Sequence, residues 1–265
     1  MSRLNKYLNK ESPRSTSITK EEAVELMHTK CKKAAYAYKK GICRLYRGLN
    51  KSFPYMISDP SKSFRSSAGS HNYIYLLMDY IFKAYKDIPK RTRSIIGTTN
   101  EHSTKQYGDL YIMLPYNEAK IAYVDKNDFW NAFVFKYDKS HIDEINDDLY
   151  NLSIMDNIKL NDKDPKKLVK DLLKLEKKLR ELEGEDKEEF TVRKRNLLYV
   201  SKYIQKVIEG SDENMVEMLE RIYDPVGVIK ITYPGKAIKA VGDYAEIWTD
   251  SKVLLLDKRL GDNLI

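Results

Sequence analysis

Apolar positions recur along this chain in three regimes. From Thr19 to Lys40 they fall at helical spacing, with Ala23, Leu26, Met27, Ala34 and Tyr38 near one face. Thr19 is followed three residues later by Glu22, a capping-box pattern that predicts the helix start; Lys40-Gly41 predicts its end. Residues 42–48 alternate and close on glycine, which predicts a strand. Residues 50–70 are rich in serine and carry Pro54, Pro60 and Gly69, so they read as a long loop, and a loop of that length in a compact domain is often functional. Residues 71–86 are dense in tyrosine and aliphatics and predict a buried helix that Pro89 stops. Strands are then expected over Ser94 to Thr99, Leu110 to Leu114 and Lys120 to Val124. A short helix is expected over 100–107 and a helical turn over 128–133.

The second regime spans residues 138–223, where aromatics thin out, charge rises and helical periodicity dominates. Leu168, Leu172, Leu175, Leu179 and Leu182 step in fours and threes over fewer than three heptads, a stripe read first as an intramolecular packing seam, with a dimer zipper as the alternative. The third regime returns to strands at Val226 to Ile231, Lys236 to Val241, Ala245 to Thr249 and Lys252 to Leu256. Pro234-Gly235 and Asp250-Ser251 supply turns between them. The fold class expected is α+β. Residues 1–18 form a flexible arm, 19–137 the first part of the core, 138–223 a helical insertion, and 224–265 the strands that complete the core.

Charge adds an asymmetry. The net charge is +8, and residues 1–50 carry 12 Lys and Arg against 4 Asp and Glu, while the remainder holds 35 of each. The basic N-terminal fifth suits nucleic acid or an acidic protein surface. Lys32, Lys33, Arg91 and Arg93 are the candidate contacts. Two cysteines, Cys31 and Cys43, match no zinc spacing and build no disulfide framework, so free thiols in a reducing compartment and no metal are expected. No apolar run approaches the roughly 20 residues of a membrane helix. The N-terminus lacks the apolar stretch of a signal peptide. A cytoplasmic protein, without membrane partners and not secreted by a signal peptide, is the expectation.

Neither GxxxxGK[ST] nor GxGxxG occurs, which removes the P-loop and the dinucleotide fingerprint. Three other segments stand out: Leu45-Tyr46-Arg47-Gly48; Ile96-Gly97-Thr98-Thr99 with Gln106-Tyr107-Gly108-Asp109-Leu110-Tyr111-Ile112; and Tyr244-Ala245-Glu246-Ile247-Trp248. In this order they resemble the arginine, Ser-Thr-Ser and glutamate motifs of the ADP-ribosyltransferase toxin-like family. The resemblance implies a split β-sandwich-like core that takes NAD as substrate and passes ADP-ribose to a protein or nucleic-acid acceptor. It implies that Arg47 grips the pyrophosphate, that Thr98 and Thr99 bond the ribose and brace the glutamate, and that Glu246 is the catalytic carboxylate. Phe64 and Tyr107 are the candidates for stacking on nicotinamide. Two positions depart from the pattern: Gly97 stands in the first serine slot, and Tyr244 stands where members that modify arginine carry Glu or Gln. The Lys-, Asn-, Tyr- and Ile-rich composition resembles that of phage-encoded proteins. The second reading is therefore a non-catalytic protein docked through its basic N-terminal region onto nucleic acid or a larger phage assembly such as a virion; the place of the protein is then the host cytoplasm or the virion.

Overall fold

The computed structural model describes residues 14–50, 53–62, 64–65, 72–126, 128–133, 139–155, 157–158, 160, 164–182, 204, 212–239 and 244–265. They fall into two compact units, one drawn from residues 1–68, 87–132 and 226–265 and the other from 69–86 and 133–225. The predicted helix at 71–86 thus falls in the helical unit, and residues 1–13 of the expected arm lie outside the described residues.

The first unit is built on nine strands: β1 (Arg14–Ser17), β2 (Tyr46–Leu49), β3 (Tyr55–Asp59), β4 (Ile95–Thr98), β5 (Asp109–Pro115), β6 (Ile121–Val124), β7 (Lys230–Thr232), β8 (Glu246–Thr249) and β9 (Val253–Asp257). Their order is β1-β3-β9-β5-β2-β4-β8-β6-β7, and every neighbouring pair is antiparallel. With its helices, this makes the α+β class. One cluster gathers Leu45, Met56, Ile95, Tyr111, Met113, Ile121, Ile247 and Leu255 from strands at both ends of that order. Neighbouring strands lie about 4.8 Å apart, so a flat sheet would keep β3 and β6 far from each other; the sheet must bend over its own inner face. The bend lies at β2–β4, where only Tyr46 and Thr98 pair.

The outer face of β3, β9, β5 and β2 is covered by α1 (Lys20–Thr29) and α2 (Lys32–Lys39). Thr19 and Glu22 form the predicted capping box, with the Thr19 hydroxyl accepting the Glu22 amide at 3.2 Å and the Glu22 carboxylate accepting the Thr19 amide at 2.7 Å. The single predicted helix is broken at Cys31 because Asn117, from the β5–β6 turn, takes over backbone groups there. Its side chain accepts from the Lys33 amide at 2.9 Å and donates to the Thr29 carbonyl at 2.8 Å.

Two strands correct the sequence reading. Residues 14–17, expected in the arm, form β1 and pair with β3; Tyr55–Asp59, expected in a loop, pairs with β9. Pro54 and Pro60 bound that strand at its ends, where a proline removes no ladder bond. Lys236 to Lys239 adopts no strand, and residues 240–243 lie outside those described.

At the end of β9 Asp257 caps α8 (Lys258–Gly261), accepting the Arg259 amide at 2.9 Å and the Arg259 guanidinium at 2.9 Å. The hydrogen bond from Arg259 holds this carboxyl below its usual range. A depressed folded-state pKa adds stability above the ordinary Asp value of about 3.9 and loses it as pH falls through the lowered value. Asp257→Asn is therefore expected to melt below the wild type at pH 7, and the gap in melting temperature to close below roughly pH 4. A gap that persists unchanged at pH 3 would show that the charge of Asp257 is not its cause.

In the helical unit, α3 (Asn72–Tyr80), α5 (Lys139–Met155), α6 (Pro165–Leu182) and α7 (Met215–Ile222) are the long elements; α4 (Phe129–Phe133) ends in it. Leu168, Leu172, Leu175 and Leu179 are fully buried, and α6 packs on α3 and α7. The stripe is an intramolecular seam. Within the expected helical insertion, residues 183–203 and 205–211 lie outside the described residues, and Ile204 is helical.

Candidate functional site

The bend brings three distant segments side by side, since β2, β4 and β8 are consecutive in the sheet. Thr98 pairs with Tyr46 on one side and with Glu246 on the other. Directly opposite residues have Cβ atoms about 5 Å apart, so Thr98 and Glu246 are immediate neighbours. Arg47 spans the opening between β2 and β4, donating from Nη1 to the Ile96 carbonyl at 2.6 Å. Thr99 ties β4 to the chain before β8: its amide reaches the Ala245 carbonyl at 3.1 Å, and its hydroxyl accepts the Ala245 amide at 3.0 Å.

Glu246 is buried on the face it shares with Thr98 and Trp248. Its Oε1 accepts from Nη2 of Arg91, and its Oε2 accepts the Phe129 amide at 2.8 Å. Its own amide donates to the Lys126 carbonyl at 2.7 Å. Arg91 was expected at the surface among the contacts to nucleic acid or an acidic partner. It is instead 5 % exposed, with its guanidinium 4.0 Å from the Phe129 ring centre and 4.9 Å from that of Trp248. Burying a charge is costly unless it is paired; Glu246 supplies the pairing, and two aromatic faces supply attraction to the cation.

The turn that carries Arg91, a tight helical turn over Arg91–Arg93, is pinned at several points. The Trp248 indole donates to the Pro89 carbonyl at 2.8 Å, the Lys90 amide donates to Asp250 at 3.2 Å, and the Ser94 hydroxyl donates to the Arg91 carbonyl at 2.9 Å. The next residue, Thr92, accepts the Arg65 amide at 2.7 Å. Arg65 in turn stands close enough to Arg47 for their charges to repel. Burial, with Arg65 adding to it, pulls the Arg47 guanidinium down to about 10. Contacts therefore join Glu246 to Arg91, and the turn of Arg91 through Thr92 to Arg65.

The remaining candidates divide. Thr98 Oγ1 accepts the Asn100 amide at 3.1 Å and the Ser103 hydroxyl at 3.4 Å. Asn100 caps the following turn, its side chain accepting from the His102 and Ser103 amides. Tyr107 is 53 % exposed beside Gly48, where an added Cβ would lie 2.8 Å from the Tyr107 Cβ. Phe64 is half-buried immediately before Arg65. Lys32, Lys33 and Arg93 are exposed, with Lys33 paired to Glu118 at 3.5 Å. Gly97 faces inward: an added Cβ would lie 2.8 Å from the Tyr46 carbonyl and 2.7 Å from Met113 Sδ. The space at that slot admits no serine without displacement.

The sequence singled out Arg91 only as a surface contact, and it gave the rings of Phe129 and Trp248 no role beside Glu246. The alternation of Glu246 and Trp248 along β8 was the usable signal, since it puts a carboxylate and an indole on one face. Among the described residues no helix is long and apolar enough to cross a membrane, and no group of three or more His, Cys, Asp or Glu gathers as metal ligands. Comparison with protein-family models, with curated proteins and with solved structures finds no match to this chain.

Proposed function

We propose that this protein cleaves the nicotinamide–ribose bond of NAD and transfers ADP-ribose to a protein or nucleic-acid acceptor, on a bent-sheet core of the ADP-ribosyltransferase kind. The observation that carries the reading is the adjacency of β2, β4 and β8, which gathers the three motif segments on consecutive strands. Arg47 places a guanidinium at the opening between β2 and β4, and a planar fork suits the oxygens of a diphosphate.

The chemistry follows from charge. As the carbon–nitrogen bond breaks, its electron pair leaves with nicotinamide and neutralises the pyridinium. The ribose carbon then carries positive charge, as in an oxocarbenium ion. Glu246 is the carboxylate that stabilises this charge, and a donor set fixed in advance lets it do so without reorganisation. The acceptor's nucleophile, or water where no acceptor is present, bonds to the carbon and gives up its proton to solvent.

Calorimetry tests the binding half. Wild-type protein is expected to bind NAD, and Arg47→Met is expected to weaken it about 30-fold or more, a loss of about 2 kcal/mol. The same substitution is expected to change the melting temperature little, because Arg47 is only half-buried and its one described hydrogen bond is to the Ile96 carbonyl. NAD bound equally by both proteins would remove Arg47 from the site; no binding by the wild type would remove the reading.

A further inference from the structure

We propose that Arg91 is a positioning residue that acts through Glu246, an inference that rests on the NAD-cleaving reading above. Its guanidinium holds one carboxylate oxygen and the Phe129 amide holds the other, so the plane of the carboxylate is set from two directions. Arg91 is itself held. The ring of Phe129 lies against one side at 4.0 Å and that of Trp248 at 4.9 Å, and these two rings meet edge to face at 88°. The backbone of its turn is anchored to β8 and the β8–β9 hairpin by the Trp248 indole and by Asp250.

Stability alone is a poor account of this arrangement, since a buried ion pair gains little over apolar groups of similar volume. Orientation is a better one. A carboxylate meant to meet positive charge in a transition state is most effective when its position is fixed before that charge develops. Arg91 occupies the Oε1 side of Glu246, on the face shared with Thr98. The same turn also holds the chain at Arg65, whose amide donates to the Thr92 carbonyl at 2.7 Å.

The test is steady-state nicotinamide release from NAD, read as kcat and KM per folded molecule, with calorimetric NAD affinity beside it. Arg91→Lys keeps a positive charge but not the planar fork or the stacking. It is expected to lower kcat about 10- to 100-fold, the range in which orienting partners act, while KM and Kd move less than about threefold. Phe129→Leu keeps the amide on Oε2 and removes the ring beneath the guanidinium; the expected loss in kcat is about three- to tenfold, again with KM unmoved. Unchanged kcat in folded Arg91→Lys and Phe129→Leu, or a loss confined to KM or to the folded fraction, overturns the inference and leaves the NAD reading standing. Absence of nicotinamide release by the wild type, with NAD still bound, overturns both.

Discussion

Glu246→Gln is expected to lower the turnover of NAD about 100- to 1,000-fold while changing NAD affinity less than about threefold. Glutamine keeps the shape of the side chain and an oxygen for the Phe129 amide, which reaches Oε2 at 2.8 Å. What it lacks is the negative charge. NAD in its ground state places its positive charge on the nicotinamide ring, and bond breaking moves that charge onto the ribose carbon. An interaction that strengthens only as the charge moves appears in kcat and not in binding. The variant needs a melting curve beside its kinetics, because Arg91 is left facing a neutral partner. If folded Glu246→Gln turns NAD over at the wild-type rate, Glu246 is a structural partner of Arg91 and nothing more.

The second large effect is on stability. Arg91→Met and Glu246→Leu are each expected to cost about 3–5 kcal/mol, because each strands a buried charge of the other sign. At about 2–4 °C per kcal/mol for a domain of this size, the melting midpoint falls by roughly 10 °C. The double variant Arg91→Met/Glu246→Leu is expected to recover most of that loss, since apolar groups of similar volume replace a buried pair at little net cost. The flanking rings of Phe129 and Trp248 supply an apolar environment for it. A double variant as unstable as the sum of the singles would mean that the two side chains stabilise the unit independently. The pair would then not be the coupled device on which the positioning of Glu246 depends. The recovered double variant is also expected to be inactive, which separates the loss of chemistry from the loss of fold.

Much of the architecture was legible because it rests on local rules. The Thr19–Glu22 capping box, the leucine seam of α6 and the continuous apolar run of β9 are each written within a few residues. What the sequence hid depends on partners far away. The segments Arg14–Ser17 and Tyr55–Asp59 become strands only because β9 offers an edge to β3, and β3 to β1. Their serines and flanking prolines speak locally for loops. The candidate site shows the same division. Arg47, Thr98 and Glu246 were visible as motif positions, and the bend of the sheet brings their strands together. Arg91 was misread because a Lys-Arg-Thr-Arg run carries the signature of a solvated loop. Its burial is decided by an indole and a carboxylate some 155 residues later in the chain. Gly97 illustrates the converse. Glycine stands there because β2 and β4 approach so closely at the bend that a Cβ would strike the Tyr46 carbonyl. The hydroxyl next to Glu246 in this chain is that of Thr98, its register partner.

The central claim is that this core breaks the bond between nicotinamide and ribose. The most direct measurement is the time course of free nicotinamide in a solution of the purified protein and NAD, set against a protein-free blank. The account predicts steady release that saturates with NAD and is suppressed by ADP-ribose, which shares the diphosphate. NAD that binds and stays intact over the same interval would contradict it.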